Sequence, residues 1–360
     1  MTKKSTKQLI RILLLAGAIC SLYFVPWPLI NAWIRPLPKT VQEQVNKATD
    51  YGFDGIIVYL DKKGEKPEFY TAGYKNRENQ IPADPQALFK IASVGKLYYA
   101  LAIAKLVSEG QLVLDKTLAD YLPEVKGRIE YADKITLKMM VQHRSGIPNF
   151  TDTKNYWSTP KETADENLAL VLDLPANFKP GDDYEYSNTN YLLLDRIMSR
   201  VLGHDTFLYI REAILNPLDL EHTFGSIHEV NMNDVMSGYY VGYDKDLKTN
   251  DVGSMLATAE DVGNFIRALN DGTAFTDKKE QEIYTSLYEF EHTGLIPGYQ
   301  TIAKYDRECD LVVIQFTNTV DFEGYNWGLS EIMVGRILKI IRNNNRPPFT
   351  KKDKGNGIEI

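Results

Sequence analysis

The sequence contains very little cysteine and histidine for a chain of its length. Among its 360 residues are two cysteines, Cys20 and Cys309, and five histidines. The two cysteines are far apart, and Cys20 lies in an apolar N-terminal run, so a disulfide framework is not expected. The histidines show no zinc-type spacing; they are His143, His204, His222, His228 and His292. We therefore expect no metal site and no cofactor.

An excess of positive charge is also absent. The chain has 41 lysine and arginine residues against 48 aspartate and glutamate residues, for a net charge of −7. This balance gives no support to nucleic acid as a partner. The apolar content of 44% and the charged content of 25% are those of an ordinary globular protein. The length allows one large or two medium domains, and no internal repeat is visible.

The most apolar stretch lies close to the N-terminus. Four basic residues precede an apolar run at 12–25, which continues through a proline-disturbed segment to residue 34. Because the basic residues come first, we expect the N-terminus to stay inside and the body to be exported. A cleaved signal peptide, a lipoprotein signal at Cys20 and a buried N-terminal helix are alternatives. We favour an uncleaved signal anchor at 1–38, which places the protein in a membrane with its body on the extracytoplasmic side.

The hydrophobic pattern predicts an α/β domain over 39–342. A helix and a hairpin lie within 39–110, and two strands with a closing helix lie within 250–342. This arrangement predicts one antiparallel sheet, built from both chain ends and flanked by helices. Between these parts, 111–249 reads as an inserted and mostly helical lobe, and a cleft between lobe and sheet edge is the expected site. The polar tail at 343–360 is predicted to be disordered.

The stretch FKIASVGKLYYALAIAKLV, at 89–107, is predicted to end an extended run and to open a buried helix. Ser93 lies at the turn and Lys96 one helical turn later, so the two side chains share a face. The start of a helix favours negative charge that develops near Ser93. Burial disfavours the ammonium form of Lys96, and a neutral amine activates an adjacent serine. For this motif alone, an N-cap serine with an exposed lysine is the alternative.

A second motif lies in the stretch GDDYEYSNTNYLLLDRIM, where Tyr186 and Asn188 precede a predicted helix. The phenolate of Tyr186 is a strong general base if nearby cations favour it. The amide of Asn188 can donate to a substrate carbonyl. A helix cap beside a core tyrosine is the alternative, because the chain contains 22 tyrosines.

The third motif is His292-Thr293-Gly294, just before a predicted strand. A glycine on an edge strand lets a substrate backbone come close. The free N–H groups of such a strand can pair with an acyl group and contribute to an oxyanion hole. A histidine alone is more often a surface or core residue, so this motif depends on the other two.

Taken together, the three motifs resemble those of the serine β-lactamase and penicillin-binding-protein superfamily. The order S-x-x-K, Y-x-N and H-x-G, at Ser93, Tyr186 and His292, is most similar to the class C β-lactamase branch with its esterase and D-aminopeptidase relatives. Four further stretches are similar in kind to segments of that branch: QHRSGIPNF at 142–150, NPLDLEHTF at 216–224, VGSMLATAEDVGNFIRAL at 252–269 and GLIPGY at 294–299. The similarity spans residues 55–341 and implies a β-lactamase-like fold.

The resemblance implies a role for each matching residue. Ser93 is the nucleophile that becomes acylated, Lys96 takes or orients its proton, and Tyr186 acts as the general base. The backbone N–H groups of Ser93 and Leu295 form the oxyanion hole. The residues that bind substrate are Asn188, His292, Thr293 and Gly294.

His292 departs from the lysine that many relatives carry at the start of the third motif. Lysine is a fixed cation that can hold a substrate carboxylate. An imidazole with the ordinary pKa of about 6.5 is mostly neutral at pH 7 and gains charge as the pH falls towards 6. This difference favours esters, amides or peptides over β-lactams.

We therefore expect an exported serine hydrolase that acts through an acyl-enzyme on a small-molecule or peptide substrate. The alternative is a catalytically idle protein of the same fold that binds peptide or cell wall. The intact Ser93, Lys96 and Tyr186 favour the enzyme. The sequence leaves the oligomeric state open.

Overall fold

A computed structural model describes residues 3–344. Its helices are α1 (Lys3–Leu22), α2 (Trp27–Ile34), α3 (Val41–Val45), α4 (Gly95–Ser108), α5 (Leu118–Tyr121), α6 (Leu137–Val141), α7 (Ala164–Ala169), α8 (Asn188–Leu202), α9 (Thr206–Ile210), α10 (Ala259–Asp271), α11 (Lys278–Leu287) and α12 (Asn326–Asn344). Its strands are β1 (Gly55–Lys62), β2 (Glu68–Asn76), β3 (Ile81–Pro82), β4 (Phe89–Lys90), β5 (Thr223–Phe224), β6 (Tyr239–Tyr240), β7 (Leu256–Ala257), β8 (His292–Ile296), β9 (Tyr299–Asp306), β10 (Leu311–Thr317) and β11 (Thr319–Val320).

The main sheet joins the two ends of the chain. Its strand order is β3-β2-β1-β10-β9-β8, and every neighbouring pair is antiparallel. In the central pair, Ile56 lies opposite Thr317 and Lys62 lies opposite Leu311. β1 and β10 are buried along nearly their whole length, because helices cover both faces of the sheet. The predicted α/β fold, with an antiparallel sheet from both chain ends, is confirmed.

The two faces of this sheet have separate cores. Successive residues of a strand point to opposite faces, so Ile57 and Tyr59 pack in the core that contains α4 and α10. Ile56 and Val58 pack on the other face, with α2, α3 and α12. On the first face α10 approaches closely, since a Cβ atom on Gly263 would lie 2.2 Å from the ring of Tyr59. The α4 face carries the elements of the candidate site.

α4 is buried on nearly all sides, as its sequence predicts. It lies between the sheet and the helical segment that follows it in the chain, so an apolar surface all round is stabilising. Apart from Lys96, the buried cation of this helix is Lys105, which pairs with Glu280 of α11 at 2.8 Å. α4 is therefore held firmly in place along its length.

Short helices and loops make up most of the segment between α4 and α10. Thr117, Thr136 and Thr163 cap α5, α6 and α7, each accepting a hydrogen bond from a backbone N–H in the first helical turn. The segment also contains β5 and β6, which pair with β7 and β11. The sequence does not predict these strands, because two residues are too few to show alternation.

α1 and α2 occupy the region of the predicted signal anchor. Within residues 3–344, no single helix is both long enough and apolar enough to cross a bilayer. The part of α1 from Arg11 onwards meets that test only together with α2, and the two helices are bent by 76°. Leu29 and Ala32 of α2 pack in the core formed with α12. The signal anchor at 1–38 stays a prediction.

α12 extends beyond the closing helix that the sequence predicts. It begins at Asn326 and ends at Asn344, so residues 343 and 344 are helical rather than part of a disordered tail. The remainder of the predicted tail, 345–360, lies outside the described residues.

Candidate active site

A strained turn presents Ser93 at the start of α4. The N–H of Ile91 donates to the carbonyl of Met255 at 3.0 Å, which holds the end of β4 in place. Ala92 follows with a φ of +49°, in the left-handed region that non-glycine residues rarely adopt. Its N–H donates to Ser254 Oγ at 3.0 Å. Backbone strain that neighbouring contacts maintain in this way is typical of functional positions.

The structure brings Ser93, Lys96 and Tyr186 together as predicted. Ser93 Oγ lies 2.6 Å from the hydroxyl of Tyr186, although the two residues are 93 positions apart in the chain. Lys96 Nζ donates to Ser93 Oγ at 3.1 Å. The serine hydroxyl therefore has two groups within hydrogen-bond distance that can take or supply a proton.

The side-chain nitrogen of Lys96 is buried without a carboxylate partner. Lys96 is 9% exposed, and no ion pair joins its Nζ to an acid within residues 3–344. Instead, Nζ donates to Asn188 Oδ1 at 2.8 Å and lies 5.0 Å from the ring centre of Tyr186 and 5.3 Å from that of Tyr191. Nζ thus contacts neutral groups and ring faces rather than an acid, and no carboxylate competes with Ser93 for it.

Asn188 begins α8 and connects the site to the neighbouring loop. Its Oδ1 accepts from Lys96, and its Nδ2 donates to Thr151 Oγ1 at 3.2 Å. Its backbone N–H donates to Asn149 Oδ1 at 3.0 Å. The amide is therefore fixed in orientation, with one Nδ2 hydrogen left for a substrate carbonyl.

His143 is a site residue that the sequence analysis does not identify. It is buried, with a φ of +55°, and its ring stacks on that of Tyr186 at a centroid distance of 4.4 Å. The N–H of Ser187 donates to His143 Nδ1 at 3.2 Å, so this nitrogen is unprotonated. Burial, together with the nearby charge of Lys96, lowers the pKa of His143 to about 3. The neutral ring of His143 thus positions the ring of Tyr186 by stacking against it.

The sequence marks the neighbourhood of His143 and Tyr191 but not their roles. His143 belongs to the stretch QHRSGIPNF, and Tyr191 lies in the first turn of α8, just after the second motif. Neither position carries chemistry of its own, since both act by packing against catalytic candidates. Such a role is visible only after the chain has folded.

Edge strand β8 places the third motif beside Ser93. A Cβ atom on Gly294 would lie 2.4 Å from the carbonyl oxygen of Ile91 and 3.1 Å from the backbone nitrogen of Ser93. A side chain at this position would therefore displace the turn that holds the serine. This is the physical reason for glycine here, and it places β8 in contact with the start of α4.

The register of the β8–β9 hairpin directs the N–H of Leu295 to the open edge. Ile296 and Tyr299 face each other across a loop of two residues, Pro297 and Gly298. The residues that flank such a loop form a hydrogen-bonded pair. Hydrogen-bonded and free pairs alternate along the strands, so the next pair leaves the N–H of Leu295 unpaired with β9. This geometry suits the predicted oxyanion hole.

His292 is a neutral residue with partners on both ring nitrogens. Nε2 accepts from the hydroxyl of Tyr288 at 2.9 Å, and Nδ1–H donates to the carbonyl of Thr293 at 2.5 Å. Burial lowers the pKa of His292 to about 4; the Thr293 carbonyl opposes this shift, and Lys96 adds to it. The expectation that the ring gains charge as the pH falls towards 6 is therefore wrong. His292 cannot replace a fixed cation.

A cavity of about 370 Å³ adjoins these residues. Its lining includes His143, Arg144, Tyr184, Tyr288 and His292. The cavity thus lies between the His143 loop and the start of the third motif, next to the residues that contact Tyr186. Within residues 3–344, no group of three or more His, Cys, Asp or Glu side chains is arranged to hold a metal ion.

Comparison with curated proteins finds relatives of two kinds. Protein flp of Staphylococcus aureus (strain N315) is 28% identical over 193 residues, which are 52% of this chain but 39% of that protein. The chain thus matches well under half the length of this relative. Putative penicillin-binding protein PbpX of Bacillus subtilis (strain 168) is 25% identical over 304 residues, covering 78% of this chain and 75% of PbpX.

Solved structures share the fold over most of the chain. D-amino acid amidase from Ochrobactrum anthropi SV3 has a TM-score of 0.74 at 24% identity, covering 88% of this chain and 99% of the amidase. Penicillin binding protein from Bacillus halodurans has a TM-score of 0.68 at 20% identity, covering 80% of this chain and 98% of that structure. At these identities the likeness concerns the fold alone.

The Beta-lactamase family model matches residues 30–289 of this chain. The match contains Ser93, Lys96, Tyr186 and Asn188, and it ends just before His292. The predicted resemblance to the serine β-lactamase and penicillin-binding-protein superfamily is confirmed. By this match, which covers well over half of its length, the chain belongs to the Beta-lactamase family.

Proposed function

We propose that this protein is a serine hydrolase that forms an acyl-enzyme on ester, amide or peptide substrates. The observation that carries the proposal is the 2.6 Å approach of Ser93 Oγ to the Tyr186 hydroxyl, with Lys96 Nζ at 3.1 Å from the same oxygen. A nucleophile within reach of a base that a third group orients is the arrangement of an activated serine. The known structures of this fold include an amidase, which agrees with this reaction class.

In the acylation step, Ser93 Oγ attacks the substrate carbonyl and its proton passes to the phenolate oxygen of Tyr186. The negative charge that develops on the carbonyl oxygen is stabilised by the N–H groups of Ser93 and Leu295. The bond to the leaving group breaks, and Tyr186 returns the proton to that group. Lys96 stabilises the phenolate before it takes the proton and again after it has released the proton. Water then attacks the acyl-enzyme by the same route and releases the free serine.

The neutral state of His292 supports a preference for substrates without an essential carboxylate. β-Lactams and peptides ending in D-alanine carry such a carboxylate, and the described site holds no fixed cation at the start of the third motif. Neutral esters and amides do not make this demand. We therefore infer an esterase-like or peptidase-like specificity rather than efficient β-lactam hydrolysis.

We also propose that the protein is exported and held in a membrane by its N-terminal segment. The basic residues at 3–11, followed by the apolar run, support this orientation. The catalytic body would then lie on the extracytoplasmic side.

The proposed activity is tested by giving the full chain a fluorophosphonate, p-nitrophenyl acetate, D- and L-phenylalanine amide, and a chromogenic cephalosporin. We expect a mass increase of one label, and turnover of the ester or an amide above that of the cephalosporin. A chain that neither takes the label nor turns over any member of the panel would be the idle binding protein instead.

Changing His292 to lysine should alter the choice between substrate types. A charged hydrogen bond to a carboxylate contributes about 1–3 kcal/mol, or roughly one to two decades in kcat/KM. We expect His292→Lys to raise the ratio of cephalosporin to ester kcat/KM by about 10-fold or more. In the natural protein the same ratio should stay flat from pH 6 to 8, because the pKa of His292 is about 4.

The ratio is the diagnostic quantity, because titration of other site groups affects both substrates alike. Tyr288→Phe provides a matched control, since it removes the hydrogen bond to His292 Nε2 without adding charge. If the ratio changes no more in His292→Lys than in Tyr288→Phe, residue 292 does not face the substrate carboxylate.

A further inference from the structure

α2 is attached rigidly to the catalytic body through one of its faces. Ala32 is fully buried in the core shared with α12, and a Cβ atom on Gly328 of α12 would lie 3.0 Å from the side chain of Leu29. The chain just after α2 is held by Arg336, whose guanidinium donates to the carbonyls of residues 35 and 36 at 2.9 and 2.7 Å. The same buried guanidinium also donates to Gln44 at 2.8 Å. The helix therefore cannot turn independently of the domain.

The opposite side of α2 presents large apolar side chains to the outside. Trp33 is 69% exposed and Ile34 62% exposed, and Trp27 at the start of the helix is 47% exposed. Tyr23 and Phe24, in the bend before α2, are still more exposed. A cluster of exposed apolar side chains of this size is typical of a surface that binds a membrane or another protein.

The charge distribution indicates which apolar phase that is. Six of the lysine and arginine residues, but no aspartate or glutamate, lie within residues 1–42. Since the chain has 41 and 48 of these in total, residues 43–360 carry 35 basic residues against 48 acidic ones. In the proposed orientation the four at 3–11 are on the inner side of the bilayer, so Arg35 and Lys39 are the cations beside α2. A basic segment attracts anionic lipid headgroups, whereas the acidic body is repelled by them. Tryptophan and tyrosine side chains are enriched at the boundary between lipid and water.

We propose that α2 lies in the interface of an anionic bilayer, with Trp27, Trp33 and Ile34 in the lipid, and holds the catalytic body in one fixed orientation. The proposal rests on the membrane location proposed above, and it assigns α2 to the interface, so that the apolar run at 12–25 is the part of the segment that enters the bilayer. A helix that packs on the protein through one face and exposes an apolar second face can lie along the membrane surface with the second face inserted.

The orientation follows from the two faces of the sheet. α2 packs with α3 and α12 on one face, whereas α4 and the Ser93 turn lie on the other. A bilayer in contact with α2 is therefore separated from the cleft by the main sheet. The candidate site faces away from the membrane, so its substrates come from the aqueous side rather than from lipid.

The test uses the full chain in anionic vesicles that contain brominated lipids, with tryptophan emission as the signal. The chain has four tryptophans, Trp27, Trp33, Trp157 and Trp327. We expect quenching to be strongest when bromine lies close to the headgroup. The double variant Trp27→Phe/Trp33→Phe should lose most of it, whereas Trp157→Phe, the matched control in the helical lobe, should keep it.

Orientation is tested with a fluorescent label on Tyr184→Cys, an exposed position at the cleft, in a chain where Cys20 and Cys309 are serine. This label should stay unquenched in the same vesicles, and quenching there would overturn the orientation.

Four other results would each overturn the interfacial contact. Quenching that survives in the double variant would exclude these tryptophans, and strongest quenching at the lipid chain ends would make α2 part of a span. A dimer in detergent that Trp33→Glu dissociates would mean that a second copy covers this face. A chain that fails to bind vesicles would overturn the membrane location as well. None of these outcomes depends on hydrolase activity, so they are distinct from failure of the proposed reaction.

Discussion

Replacing Ser93 by alanine is expected to abolish labelling by a fluorophosphonate and to lower kcat/KM by about 10⁴-fold or more. Without its nucleophile, a serine hydrolase retains only substrate binding and oxyanion stabilisation. Loss of the nucleophile therefore causes one of the largest decreases in rate that a single substitution produces. The change removes one oxygen, with its contacts to Tyr186 and Lys96. Alanine is also compatible with the turn, so the fold should survive. Intact mass after labelling and the circular dichroism spectrum measure the two effects.

Ser108→Ala is the matched control, because Ser108 ends the same helix far from the site. It should take up the label like the natural protein. Stoichiometric labelling of Ser93→Ala, located by peptide mapping at another residue, would remove Ser93 as the nucleophile. Retained turnover without labelling would point to a mechanism that does not pass through an acyl-enzyme.

Replacing Tyr186 by phenylalanine should lower kcat by roughly 10²–10⁴-fold, the range for loss of a general acid or base. The ring that stacks on His143 is kept, and only the hydroxyl at 2.6 Å from Ser93 Oγ is removed. Because the hydroxyl acts on the reacting atoms, KM should change much less than kcat. Steady-state kinetics on the best ester or amide of the panel provide both values.

Tyr243→Phe is the control for this substitution, since Tyr243 is exposed and does not line the cavity at the site. It should retain kcat within a few-fold. If Tyr186→Phe raises KM and leaves kcat unchanged, Tyr186 binds substrate and Lys96 alone serves as the base. Loss of stability in Tyr186→Phe, measured by thermal unfolding, would mean that its hydroxyl is chiefly structural.

Several features of this protein can be predicted from the sequence because they depend on local patterns. The buried runs of β1, β9 and β10, the threonine cap at Thr136 and the glycine that ends α10 at Gly272 are each determined within a few residues. The pairing of Ser93 with Lys96 is also local, since both lie on one turn of chain. The remaining candidate site residues follow from the Y-x-N and H-x-G motifs, because these motifs come after S-x-x-K in the same order as in the family.

What the sequence leaves open concerns groups that meet only after folding. The 2.6 Å approach of Ser93 to Tyr186 and the stacking of His143 on Tyr186 join segments that are separated along the chain. The charge state of His292 is the clearest case. An isolated imidazole predicts charging near pH 6, but burial and the nearby Lys96 lower the pKa of this ring to about 4 and keep it neutral.

The N-terminal segment shows the same division. Its sequence by itself determines an apolar run with basic residues before it, because composition needs no knowledge of the fold. Only the tertiary structure decides that α2 packs on α12 through Leu29 and Ala32, and so which of its side chains face outward. Local pattern decides which elements form, whereas burial, charge state and the meeting of distant residues depend on contacts that a linear sequence does not contain.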